Sequence, residues 1–211
     1  TIIDPTRQRP TVLVPNPFYM VYEGAALLCG AKPFFVNFDA ASGEYAWDAV
    51  PQSVWQDVQL LIVCSPDNPT GAITNRERWR WLFEQSDRYG FVILADECYS
   101  EIYFDEGNPP VGALQVAAET GRTDFRRLIA MGSLSKRSNA PGLRSGFVAG
   151  DAALMAAFLK LRSFNGSAMA GTVVAASVEA WNDETHVVAN RAAYAKKFRE
   201  LTPLLAKHLP V

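Results

Sequence analysis

The stretch Met131-Gly-Ser-Leu-Ser-Lys-Arg-Ser-Asn-Ala-Pro-Gly-Leu-Arg-Ser-Gly146 begins at the end of the apolar run Leu128-Ile-Ala-Met131 and holds one lysine, Lys136, among small and turn-forming residues. A strand that ends in a Ser/Gly-rich loop delivers its side chains to the carboxyl edge of a sheet, where open α/β folds bind ligands. A lysine held there beside a second cation, Arg144, has a physical reason to shed its proton. Neighbouring positive charge and partial desolvation both disfavour an ammonium, and a neutral amine attacks an aldehyde to form a Schiff base. Ser133, Ser135 and Arg144 are suitable donors for a phosphate, with the guanidinium fork of Arg144 matching it geometrically.

Alone, such a Lys/Arg pair reads as ordinary surface charge. Two upstream segments change that. Ser65-Pro-Asp-Asn-Pro-Thr-Gly71 and Ala95-Asp-Glu-Cys-Tyr99 each follow an apolar run and place polar residues at a strand end. Asp96 is suited to pair with a protonated pyridine nitrogen, and Asn68 and Tyr99 to donate to a phenolic oxygen. Pyridoxal 5'-phosphate carries those handles together with a phosphate and an aldehyde, and its protonated ring nitrogen makes the ring an electron sink.

The motifs SPDNPTG, ADECY, SLSKR and PGLRSG, in this order and at suitable intervals, resemble the fold-type-I, class I/II aminotransferases through essentially the whole chain. The resemblance implies a pyridoxal phosphate enzyme with ping-pong transfer between amino acids and keto acids. Lys136 would hold the cofactor and move the α-proton. Asp96 would keep the ring nitrogen charged, and Tyr99 and Asn68 would tune the phenolic oxygen. Ser133, Ser135 and Arg144 would grip the phosphate. In the family an aromatic residue shortly after a proline such as Pro17 stacks on the ring, and Tyr19 matches that position with Phe18 as competitor. Family members commonly carry Asn where this chain has Ser65, which leaves Ser65 unassigned. A homodimer with its sites at the subunit interface is also implied. Residues 1–211 read as the large cofactor-binding domain of a longer chain, since no methionine opens the sequence and the upstream phosphate-binding turn and downstream small domain are not in it.

A net charge of −2 and a pI near 5.7 make no case for nucleic acid or an anionic membrane. The 49% hydrophobic and 20% charged content suit a globular core. No apolar run approaches the roughly 20 residues that a membrane helix needs, and the opening residues carry no secretory-signal pattern. Cys29, Cys64 and Cys98 are odd in number and lack CxxC spacing, which points to a reduced, cytoplasmic setting, with Cys64 and Cys98 read as small buried hydrophobes.

Along the chain, apolar strands alternate with helical patterns. Thr11-Val-Leu-Val14 reads as a strand stopped by Pro15-Asn-Pro17, and Pro33–Phe38 as a second. Residues 47–55 read as a short helix. Gln59–Cys64 is continuously apolar enough for a parallel strand covered on both faces, and the prolines after it place Asp67 and Asn68 in an exposed loop. Thr74 or Asn75 caps a helix that runs to Tyr89 and stops at Gly90. Phe91–Ala95 is the strand that delivers Asp96. A short helix spans Leu114–Thr120, and Ser145–Gly150 is a strand. Helices follow from Ala152 to Arg162, Ala168 to Trp181 and Thr185 to Leu209, the last with Pro203 as a point of bending. The expected fold is therefore α/β, a mostly parallel sheet with helices on both faces: a three-layer sandwich.

A narrower resemblance rests on Asp96–Phe104, Ser133–Asn139, Gly166–Met169 and Ala180–Val187. These segments look like succinyldiaminopimelate aminotransferases, which serve lysine and diaminopimelate synthesis with glutamate and 2-oxoglutarate as the other pair. The competing readings are an aminotransferase for aspartate, alanine or aromatic amino acids, a carbon–sulfur lyase using the same lysine, and the sensor domain of a transcription regulator.

Overall fold

The computed structural model describes residues 1–166 and 168–209, so that Ser167 of the Gly166–Met169 segment, together with Pro210 and Val211, lies outside it. The strands are β1 (Thr11–Asn16), β2 (Lys32–Asp39), β3 (Glu44–Tyr45), β4 (Val58–Cys64), β5 (Val92–Asp96), β6 (Leu128–Ser133) and β7 (Gly146–Gly150). The helices are α1 (Met20–Leu28), α2 (Gln52–Trp55), α3 (Arg76–Tyr89), α4 (Ala113–Glu119), α5 (Leu134–Arg137), α6 (Ala152–Phe164), α7 (Gly171–Asn182) and α8 (Thr185–Leu205). The strands form one sheet in the order β3-β2-β1-β4-β5-β6-β7. The pairs linking β2, β1, β4, β5 and β6 are parallel, and β3 and β7 run antiparallel at the two edges. This is the mostly parallel α/β sheet expected from the sequence.

Alternate residues of the central strands feed two cores, because successive strand side chains point to opposite faces. Leu13, Leu61 and Ile93 pack with Trp79, Leu82 and Phe83 of α3 and with Trp55 and Phe91. Val12, Val14 and Ile62 face Tyr22 and Ala26 of α1 on the other side. Burying the large α3 side chains stabilises the fold by roughly 1.5–3 kcal/mol each. Asn75 caps α3 by accepting the Arg78 amide at 2.8 Å, and Gly90, at φ +82°, ends it in a left-handed conformation that suits glycine.

Four local expectations change. Pro15 does not stop β1; it lies inside it, opposite Val36. Proline is tolerated there because β4 pairs with β1 only as far as Leu13, so the flank of Pro15 facing β4 has no ladder to break. Residues 47–55 are not one helix. A 3-10 turn at Trp47–Ala49 is separated from α2 by Pro51, which holds Val50 extended at ψ 123°. Asp67 is buried rather than exposed, accepting from Tyr45 Oη at 2.8 Å and Thr70 Oγ1 at 2.6 Å. Lys136 sits on the one-turn helix α5, not in an irregular loop, since Ser133 Oγ caps that turn by accepting the Ser135 amide at 3.0 Å.

Candidate active site

Register brings the site together. Cys64, Asp96 and Met131 lie side by side at the carboxyl ends of β4, β5 and β6, and each strand sends a polar segment over that edge. From β4 comes the loop with Asn68, from β5 the turn with Tyr99, and from β6 the segment with Ser133, Ser135 and Lys136. The start of α1 contributes Phe18, Tyr19 and Tyr22, and the turn after Pro141 contributes Arg144. Apart from Met131, all of these residues line one cleft of about 550 Å³.

The floor of the cleft is a carboxylate. Asp96 is buried, with Tyr22 Oη donating to Oδ2 at 2.5 Å and the Cys98 amide donating to Oδ1 at 3.1 Å. Among the described residues no cation forms an ion pair with it. An ionised carboxylate offers about four lone-pair positions, so two remain for a ligand. Burying an unpaired charge is costly, and a cationic partner arriving from the cleft relieves that cost. A protonated ring nitrogen has the right charge and donor.

Tyr22 is a site residue that none of the sequence motifs singles out. Its place one helical turn after Tyr19 was the available signal. Its phenol is pushed well above the ordinary range by burial and by the Asp96 charge, so it remains a donor at neutral pH. Burial and the charges of Asp96 and Asp67 likewise push the Cys64 thiol up to about 12, and burial with Asp96 pushes Cys98 up. Both stay protonated, which suits the inert role expected of them. Tyr22→Phe removes the donor to Asp96 and is expected to lower the stability of the full-length protein by about 1–3 kcal/mol. Chemical denaturation at neutral pH measures this; an unchanged midpoint would show that the bond contributes nothing.

The remaining walls carry the other groups. Asn68 Nδ2 donates to Tyr99 Oη at 3.1 Å, placing these two side chains together. Lys136 Nζ lies 5.6 Å from the centre of the Tyr99 ring. Ser133 Oγ is 2.9 Å from Ser135 Oγ. Arg144 is exposed, with its backbone left-handed at φ +53° and its guanidinium donating to Pro141 O at 3.0 Å. Of the two rings, Phe18 is stacked on Phe35 with centroids 4.9 Å apart, whereas Tyr19 is 59% exposed and meets Tyr22 edge-on. Tyr19 therefore keeps an open face. Ser65 acquires a structural explanation: its Oγ accepts the Thr74 amide at 2.9 Å and its amide donates to Asp96 O at 3.0 Å, closing the loop onto β5.

With an amine, paired hydroxyls, a guanidinium, an amide–phenol pair and a buried carboxylate around one cleft, the donor set fits an aldehyde-bearing, phosphorylated pyridine. Comparison with known proteins gives the family. The family model for aminotransferase class I and II matches residues 6–211. The crystal structure of an aminotransferase from Neisseria meningitidis Z2491 is similar with a TM-score of 0.93 and 47% identity, covering 100% of this chain and 53% of that one. Probable aminotransferase Rv1178 of Mycobacterium tuberculosis is 33% identical over 194 residues, 92% of this chain and 43% of that protein. LL-diaminopimelate aminotransferase of Desulforudis audaxviator is 32% identical over 194 residues, covering 90% and 47%. The chain thus spans about half the length of the curated relatives it matches. It belongs to the class I and II aminotransferases.

Proposed function

We propose that the protein containing this chain is a pyridoxal phosphate-dependent transaminase that moves an amino group between N-succinyl-LL-2,6-diaminopimelate and 2-oxoglutarate, in the synthesis of diaminopimelate and lysine. The observation that carries the chemistry is the buried Asp96 carboxylate, without a countercharge among the described residues, on the floor of the cleft that Lys136 lines. When bound, the cofactor supplies an aldehyde that takes up amino groups and a ring that accepts the electron pair released at the substrate α-carbon.

The chain's own residues do the rest. Lys136 Nζ would hold the aldehyde at rest and, when freed by the incoming amine, would be the base placed to take the proton from the substrate α-carbon and return it. Asp96, held in orientation by Tyr22, would accept a hydrogen bond from the ring nitrogen and keep it protonated. Asn68 and Tyr99 would donate to the phenolic oxygen. Ser133, Ser135 and Arg144 would hold the phosphate, and the open face of Tyr19 would be available to the ring. The two amino-transfer halves use the same residues in opposite directions, which makes the kinetics ping-pong. The family resemblance extends the proposal to a homodimer in the cytoplasm, with small amino and keto acids as its partners and neither nucleic acid nor membrane. No helix among the described residues is long and apolar enough to cross a membrane.

The diaminopimelate skeleton is supported by the relative named LL-diaminopimelate aminotransferase; the succinyl group is supported by the segments Asp96–Phe104, Ser133–Asn139 and Ala180–Val187. The test is a half-reaction on the full-length protein loaded with pyridoxal phosphate, following its visible absorption. The band is expected to be lost rapidly with the succinylated substrate and with glutamate, and slowly with free LL-diaminopimelate, aspartate or alanine. Faster loss with any of the last three replaces the substrate. Pyruvate release from cystathionine makes the protein a lyase, and a protein that develops no band is not a transaminase.

A further inference from the structure

The helix that carries Lys136 is a single turn of four residues. Such a turn is not stable by itself, because nucleating a helix fixes several residues for very few hydrogen bonds. Its last carbonyls have no partners within the helix and must find them elsewhere. Inside the segment, only Leu134 O is satisfied locally, by the amides of Ser138 at 3.0 Å and Ala140 at 3.2 Å. The carbonyls of Lys136 and Arg137 are instead met by one side chain from α8: Asn190 Nδ2 lies 3.2 Å from Lys136 O and 3.4 Å from Arg137 O.

The same face of the fold grips the turn in two more places. His186, one helical turn before Asn190, has Nε2 2.8 Å from Ser138 Oγ, and its Nδ1 is 2.6 Å from Asp183 Oδ2. Arg137 is buried, donates to Ala180 O at 2.8 Å, pairs with Glu184 and lies over the Trp181 ring at 5.1 Å. α8 is itself anchored beside Asn190. Buried Arg191 pairs with Glu101 at 2.9 Å and Glu106 at 2.6 Å and lies 4.2 Å from the centre of the Tyr103 ring, all in the segment that follows Tyr99. Asn190 therefore reaches the lysine turn from a helix fixed to the segment that follows Tyr99.

We infer that Asn190 is a positioning residue for Lys136. By holding the lysine's own carbonyl it sets where the Lys136 Cα stands and so the arc that Nζ can sweep. Arg137 and His186 hold the following residues of the turn. The inference rests on the proposed role of Lys136 and adds a requirement that the cleft residues alone do not contain. Reacting groups displaced by about 1 Å lose roughly 10²-fold in rate, so release of this carbonyl shows in the proton-transfer step rather than in substrate binding.

The test compares Asn190→Ala and Asn190→Gln with wild type in the full-length protein. Asn190→Ala is expected to lower kcat by about tenfold to a hundredfold while KM for both substrates stays within about threefold, and Asn190→Gln, which keeps the donor, to recover most of the loss. In cofactor-free protein, amide exchange at Ser138 and Ala140 is expected to rise by about tenfold in Asn190→Ala with the α3 amides unchanged. A kcat within about twofold of wild type, with unchanged exchange, overturns the inference. So does a rise in α3 exchange alongside, which marks general destabilisation. A wild-type protein that performs no amino transfer defeats the proposed reaction on that control alone, and the exchange data still decide whether Asn190 holds the turn.

Discussion

Lys136→Ala is expected to abolish amino transfer, lowering turnover by roughly 10³-fold or more, and to eliminate the visible band that forms when the full-length protein is mixed with pyridoxal phosphate. The size of the effect follows from the two tasks assigned to one atom. In the proposed reaction Nζ would hold the aldehyde at rest and carry the proton at the substrate α-carbon, and no other lysine lines the cleft among the described residues. Lys136 is half-buried, with its side chain in the cleft rather than in either core, so the truncation leaves no core void and the fold is expected to persist. Circular dichroism and the denaturation midpoint separate loss of chemistry from loss of folding. Amino transfer surviving in a well-folded Lys136→Ala protein would remove the lysine from the mechanism.

The second large effect is expected at Asp96. Asp96→Ala should reduce turnover by roughly 10²–10³-fold, because the ring nitrogen then lacks the carboxylate that keeps it protonated. The visible band should still form, since Lys136 is intact. This split between binding and turnover distinguishes the two residues. The change in stability is expected to be small. Tyr22 loses its acceptor at a cost of about 1–3 kcal/mol, and removing a buried carboxylate without a countercharge offsets much of that. Steady-state rates and the absorption spectrum, taken on the same preparation, check both halves. Near-normal turnover would show that Asp96 does not act on the ring.

What was legible in the sequence is what short-range physics controls. The apolar runs of β4 and β5 announced strands covered on both faces, and their ends announced Asp96 and the Ser65–Gly71 loop. Thr74 or Asn75 and Gly90 marked the limits of α3, because a cap and a left-handed stop act within one turn, and the structure makes Asn75 the cap. The break of residues 47–55 at Pro51 is a local effect of that proline, whereas the place of Pro15 inside β1 is not local. Proline's effect depends on whether a neighbouring strand needs its missing N–H, and that depends on where β4 stops pairing with β1. The burial of Asp67 escaped notice because its phenol partner, Tyr45, arrives from the far edge of the sheet.

From the sequence alone came the α/β class, the cleft's chemical groups and the family, since each resides in a local motif: a strand and the polar segment that follows it. The tertiary structure decided which groups face one another. Tyr22 meets Asp96 across 74 residues, and Asn190 meets Lys136 across 54, through a sheet order that places β1, β4, β5 and β6 side by side and through the packing of α8 beside the Lys136 turn. Hydrophobic periodicity reports which face of an element is buried, but not which element covers it, so contacts between distant side chains become readable only when the chain has folded.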